Sequence, residues 1–320
     1  VAISFKLENW NLKFKENFES PLANLSSKIA LIIKAMDTNF TGFGEVATLG
    51  DIKEQQALLE TKLVPHYLKT GEIIGTGPAS AGLFCALKDL EAKQEGIPLW
   101  RLYGGSKRPI PVGVTIGFQK NLDSLLKRIE ESLWAKRIKL KVSPETKPEV
   151  FDELFKAFPK APISLDANQS FDEEPLYLDK YPFLMIEEPM KRLELNAKFQ
   201  AKIGIPVCLD ESIRSIDDCK EALRLKAGKI VSIKFSQVGS KAFEINRLCQ
   251  DAGVGCWAGG MLESAVGRSH NLALATLDNF IYPSDVSTGM FVDDLFQIEH
   301  RDGFIVPSDE LGIGGIPQTN

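Results

Sequence analysis

Six side chains in the middle of the chain have the types and settings for acid–base chemistry beside a carboxylate. Lys139 and Lys141 stand two apart in Lys-Leu-Lys, and Lys234 sits in Ile-Lys-Phe-Ser. Asp166 opens Asp-Ala-Asn, Glu187 opens Glu-Glu-Pro and Asp210 opens Asp-Glu-Ser, each at the end of a short apolar run. Three carboxylates brought together repel one another unless a cation lies between them. An all-oxygen ligand set with room for water and substrate suits Mg²⁺, with Mn²⁺ as the alternative. A free lysine is a poor base, since only about one in 2,500 is neutral at pH 7. A divalent cation and a second lysine nearby lower its pKa and make it usable. Metal and lysines together suit removal of a proton next to a carboxylate, the metal stabilising the enediolate. Singly, each acid reads equally well as a helix cap and each lysine as a salt-bridged residue. It is their combination that points to catalysis. The chain has only three histidines, His66, His270 and His300, which leaves acid–base work to lysines and carboxylates. His270 reads as an ordinary helix residue and Asp285 as structural, with a place lining the mouth of the site as its alternative.

These residues need a scaffold that gathers strand ends. After Pro109, short apolar strands alternate with charged amphipathic helices at intervals of about 20 to 28 residues, a pattern that predicts a parallel sheet. The strands are expected at 112–116, 138–142, 163–166, 184–187, 207–210, 230–235, 255–257 and, weakly, 280–282. Helices are expected at 122–134, 148–157, 191–202, 216–225, 241–252 and 263–277. Seven or eight such units fit a closed (β/α)7-8 TIM-type barrel. A doubly wound sheet fits less well, because no GxGxxG follows the first strand. In a barrel the C-terminal strand ends build the active face, so Asp166, Glu187 and Asp210 lie side by side on one arc. Lys141 and Lys234 flank that arc, and Lys139 shares a face with Lys141 because residues i and i+2 of a strand point the same way.

Before Gly104-Gly105 the pattern is α+β, with strands at 1–15, 30–35 and up to about residue 47, and helices at 52–59 and 79–94. The chain therefore divides into an α+β domain (1–106), a barrel (107–290) and a C-terminal segment (291–320). The segment should return to the first domain, because Leu295, Phe296, Ile298, Phe304 and Ile305 need a surface to cover. The 320 residues are 44% apolar and 25% charged, which excludes a disordered chain or a disulfide scaffold. A net charge of −5 argues against nucleic acid as the partner. No apolar run approaches membrane-spanning length, and the start of the chain reads as a strand rather than a leader peptide. Five scattered cysteines read as reduced thiols, which together suggests the cytoplasm. The composition sets no oligomeric state.

The motif set resembles the enolase superfamily, in its muconate-lactonizing-like branch. The segment Trp257-Ala-Gly-Gly-Met-Leu-Glu-Ser264 is similar to the family of o-succinylbenzoate synthases and N-succinylamino acid racemases. Gly42-Phe-Gly-Glu45 is similar to that family's N-terminal capping-domain segment, and 96–105 to its hinge. The resemblance implies metal ligation by Asp166, Glu187 and Asp210, with Lys141 as general base and Lys139 positioning the substrate carboxylate. Lys234 is then a stabilising cation in a synthase or a second acid/base in a racemase. Backbone groups around Gly260 and Met261, with Ser264, are expected at the succinyl end of the small-molecule carboxylate substrate, under a loop at 18–22. Three positions depart from the family pattern: Gly239-Ser240 replaces Gly-Gly, Ala265 stands where Gly is common, and Gln237 where racemases commonly carry Arg. The last favours a lyase that dehydrates 2-succinyl-6-hydroxy-2,4-cyclohexadiene-1-carboxylate in menaquinone or phylloquinone synthesis. A racemase or epimerase of N-succinylamino acids is the alternative. A catalytically dead binding protein should have lost one of these residues, and none is lost.

Overall fold

The structure, a computed structural model, describes residues 2–20 and 23–315. Strands β1 (Ser4–Ser20), β2 (Ala23–Met36) and β3 (Thr41–Val46) form an antiparallel sheet. Helices α1 (Ile52–Leu58) and α2 (Val64–Thr70) follow, joined by a π-helical turn and ended by Gly71, with α3 (Pro78–Gln94) and the short α4 (Leu99–Leu102) next. From Ala30 to Ala35 strand β2 is buried on both faces, and its alternation sorts side chains between two cores. Leu31, Ile33 and Ala35 pack with Leu83, Ala86 and Leu90 of α3, while Ala30 and Ile32 join the large core shared with the rest of the molecule.

Helix α3 lies almost directly on β3. A Cβ added at Gly44 would strike the backbone of Gly82 and Ala86. Gly44→Ala is therefore expected to cost about 1–3 kcal/mol through overpacking. Urea unfolding would measure it, and an unchanged midpoint would show that the helix can retreat at no cost.

Strand β4 (Ile110–Pro111) leads into the second half. There β5 (Gly113–Ile116), α5 (Leu122–Ser132), β6 (Arg137–Lys141), α6 (Pro148–Ala157) and β7 (Ile163–Asp166) follow in turn. Next come β8 (Ile186–Glu187), α7 (Leu193–Gln200), β9 (Val207–Leu209), α8 (Ile216–Leu225), β10 (Ile230–Ile233), α9 (Phe235–Val238) and α10 (Ala242–Asp251). The series ends with β11 (Gly255–Ala258) and α11 (Ala265–Ala275). Strands β5 to β11 form one parallel sheet in sequence order. The weak strand expected at 280–282 is instead a bridging segment. Phe280 pairs with Cys256 and Ser284 with Val112, so residues 280–285 touch both edges of the curled sheet. Between β7 and β8 there is a 3-10 turn, Leu176–Lys180, in place of a helix.

Parity fixes the two faces of this sheet. Ile138, Leu140, Ile163, Leu165, Ile186, Val207, Val231 and Ile233 pack outward in the large core with the helices. Met185, Cys208, Ile230 and Trp257 form a small apolar layer of their own on the inner face. The charged residues continue that face: Arg137, Lys139 and Lys141 on β6, Asp166 on β7 and Glu187 on β8. The tail returns to the N-terminal elements, with Phe14 bridged to Phe291, the Trp100 Nε1–H donating to Ser308 O at 2.9 Å and the Ile313 N–H to Asp89 Oδ1 at 2.8 Å. Its strand β12 (Phe304–Ile305) pairs with β4.

Candidate active site

The strand register brings the motif acids together. Asp166 pairs with Glu187 across β7 and β8, and Asp210 lies two residues beyond Cys208, the partner of Glu187 on β9. Lys139 Nζ stands between the first two acids, 2.9 Å from Glu187 Oε2 and 3.3 Å from Asp166 Oδ2. Lys141 Nζ donates to Asp166 Oδ2 and to Asn168 Oδ1, both at 2.6 Å. Lys234 Nζ donates to Asp210 Oδ2. All three lysine side chains are largely buried, with between 7% and 11% of their surface exposed, so these pairs escape most solvent screening.

The lysines thus interleave with the acids, and the charge states follow. Against the upward push of burial, Lys141 and Lys139 hold Asp166 well below the usual carboxylate range. Burial raises Glu187 and Asp210 despite their lysine partners. Burial alone would lower Lys139 and Lys234. Glu187, Asp166 and Asp285 around Lys139, and Asp210 and Glu187 around Lys234, instead raise both well above the ordinary lysine value. Each of these two ammoniums faces a carboxylate more closely than it faces another cation.

Among the described residues, no three His, Cys, Asp or Glu side chains stand ready around a common metal position. The donor set nevertheless suits a hard cation. Glu187 Oε1 and Asp210 Oδ1 are buried without any hydrogen-bond partner. Such orphaned oxygens are costly, and they are the ligand type that Mg²⁺ takes. Neighbouring polar groups brace the set. Glu188, at φ 36°, accepts from the backbone N–H of Asp210 at 2.7 Å, of Ser212 at 3.2 Å and from Asn196 Nδ2 at 3.2 Å. Asn168, at φ 43°, donates to Glu211 Oε1 at 2.7 Å while receiving Lys141. Backbone held in this sparsely populated region is typical of a site fixed by its surroundings. A cavity of about 220 Å³ lies beside Lys141, its wall mostly apolar with Ile116, Phe118, Leu125, Leu140 and Phe151.

The strand-seven loop is held by the protein's own groups. Ser264 is fully buried, and its hydroxyl donates to Glu45 Oε2 at 2.6 Å. The Met261 N–H is taken by Glu263 Oε1 at 2.8 Å, and Gly260 lies against the Arg268 guanidinium. Of the loop expected at 18–22, residues 21 and 22 lie outside the described residues. Phe18 stacks near Phe14, their ring centres 6.3 Å apart. His270 is buried, with Nε2 at 2.8 Å from Phe43 O and Nδ1 at 3.1 Å from the Tyr103 hydroxyl.

Sequence reasoning missed Arg137. Its guanidinium stacks 3.8 Å from the Trp257 ring and donates to Asp285 Oδ1 at 2.7 Å, just below Lys139. Asp285, held below its usual range by Lys139, Arg137 and Arg268 against its burial, closes this charged layer. The i, i+2 alternation that paired Lys139 with Lys141 carried the signal for Arg137 as well.

Comparison with known proteins places this arrangement. The Enolase C-terminal domain-like family matches residues 122–317. The o-succinylbenzoate synthase of Geobacillus kaustophilus is 34% identical over 96% of this chain and 91% of its own length. The N-succinylamino acid racemase of Thermus thermophilus is 32% identical over 98% and 93%. A solved enolase-superfamily member of unknown role from Enterococcus faecalis superposes with a TM-score of 0.87 at 29% identity, over 97% of this chain and 94% of that one. The fold is that of the enolase superfamily. Within it, this chain belongs to the family of o-succinylbenzoate synthases and N-succinylamino acid racemases.

Proposed function

We propose that the protein is an o-succinylbenzoate synthase, which removes water from 2-succinyl-6-hydroxy-2,4-cyclohexadiene-1-carboxylate to leave an aromatic ring. The observation that carries the reading is Lys141 and Lys234 set on either side of Asp166, Glu187 and Asp210, on the inner face of one sheet. Mg²⁺, or Mn²⁺ in its stead, held by those three acids, would supply Lewis-acid stabilisation of the charge that develops on the substrate carboxylate. Lys139 anchors that carboxylate. Lys141, as the free amine, takes the proton from the ring carbon bearing it. The carbon–oxygen bond at the neighbouring position then breaks, and Lys141 returns the proton to the departing hydroxide as water. Lys234, kept an ammonium by Asp210, contributes positive charge from the far side. Aromatisation makes the elimination strongly downhill.

The wider reading follows from the same features. The bridges of residues 280–285 to both sheet edges support a closed TIM-type barrel spanning 107–290, capped by an α+β domain at 1–106 with 291–320 returning to it. Menaquinone or phylloquinone synthesis is the proposed pathway. The cytoplasm is the proposed compartment, in keeping with five free, buried cysteines and with no helix among the described residues able to cross a membrane. Racemisation of N-succinylamino acids is the second reading, favoured by the Thermus relative and by the paired lysines. A spectroscopic assay of the cyclohexadiene acid, run beside N-succinylamino acids, decides between them. The expected result is rapid aromatisation that EDTA abolishes and Mg²⁺ restores. Faster turnover of the amino acids would overturn the synthase assignment.

A further inference from the structure

Glu45, at the end of the N-terminal sheet, is buried against the start of helix α11. Its Oε2 accepts from the Ser264 N–H at 2.8 Å, the Ser264 hydroxyl at 2.6 Å and the Gly267 N–H at 3.3 Å. Its Oε1 pairs with Lys28 at 3.1 Å, and Lys28 Nζ also donates to Leu262 O at 2.9 Å. Helix α11 is buried along its length, so its first N–H groups cannot turn to water. They are taken instead by Asp294 (from Ala265, 2.9 Å), by Ser264 itself (from Val266, 3.3 Å) and by Glu45 (from Gly267). A carboxylate here also meets the positive end of the helix dipole. The loop so fixed reaches the chemistry at its other end. A Cβ at Gly259 would come 3.0 Å from Lys234 Cγ and would strike Ser232 Oγ, so the loop backbone is the wall along the lysine stem.

We propose that Glu45 is a positioning residue for catalysis: with Lys28 it clamps the 259–264 loop and thereby fixes Lys234 in its working place. Ser264 relays this clamp, which gives the motif serine a positional role. The clamp makes the chemistry depend on the N-terminal sheet being seated. Only the kinetic readout rests on the function proposed above.

The test compares Glu45→Gln with wild type by hydrogen exchange of the 260–267 amides, by kcat and KM, and by Mg²⁺ affinity. The amide cannot both hold the helix N–H groups and face the Lys28 ammonium. Expected are faster exchange confined to the loop and the start of α11, and a fall in kcat of about 100-fold, the scale of a 1 Å misplacement. The KM change should be smaller and metal affinity unaltered, since the ligand strands are untouched. Ser264→Ala and Lys28→Met should show the same pattern more weakly, and they carry the test if Glu45→Gln does not fold. Unchanged loop exchange would overturn the proposal whatever the substrate. So would faster exchange with wild-type kcat, or a kcat loss matching only the loss of folded protein. Should the wild type prefer N-succinylamino acids, the synthase reading fails while the same kinetic split, read on that substrate, still tests the clamp.

Discussion

Lys141→Ala is expected to abolish turnover, lowering kcat by about 10⁴-fold, the upper range for a positioned general base. That corresponds to roughly 5.4 kcal/mol of barrier. The fold should survive, for a reason visible in the ion pairs. Removing one partner of a buried pair costs about 3–5 kcal/mol when the other charge is left alone. Asp166 is not left alone, because Lys139 Nζ remains 3.3 Å from it. Circular dichroism and the urea midpoint should therefore stay close to wild type while product formation disappears. Retained turnover would remove Lys141 as the base.

Asp210→Asn carries the second large effect, on metal binding. The substitution keeps the volume and leaves an amide oxygen to accept from Lys234, so the destabilisation should fall short of a fully broken pair. What is lost is the charge, and with it the oxygen Oδ1 that no protein group satisfies. Loss of an outer-shell partner already weakens metal binding by 10–100-fold, so loss of a ligand should exceed about 100-fold. Calorimetric titration with Mg²⁺ measures it directly, and the free-Mg²⁺ dependence of turnover should shift in parallel. An unaltered dependence would contradict the ligand assignment.

The candidate site residues stand out in the sequence because each lies in a short local pattern. An acid at the end of an apolar strand reports its own position, and the two-residue period carries Lys139 and Lys141 to one face together. The strands from 113 to 258 were readable for the same reason: their burial is set by alternation with helices that lie next to them in the chain. Pairing across long stretches of sequence was not readable. Glu45 meets Ser264 over 219 residues, and nothing local to either marks the other. That is why the sequence reading of Ser264 did not include its hold on the N-terminal sheet. The segment at 280–282 read as a weak strand because it carries few apolar residues in a row, and residues 280–285 make isolated bridges in place of a ladder. The raised lysines were also out of reach, since their charge state depends on which partner lies nearest in space.

The returning tail has a consequence for how the protein is made. Ile313 supplies a hydrogen bond to Asp89, 224 positions earlier in the chain. At synthesis rates of about 5–20 residues per second, that partner follows by roughly 10–45 s. The nascent N-terminal half must wait that long, with the surface meant for the tail uncovered and open to strangers. Ribosome-bound intermediates should accordingly be the form most dependent on chaperones, and docking of the segment around Ile313 the event that ends the dependence.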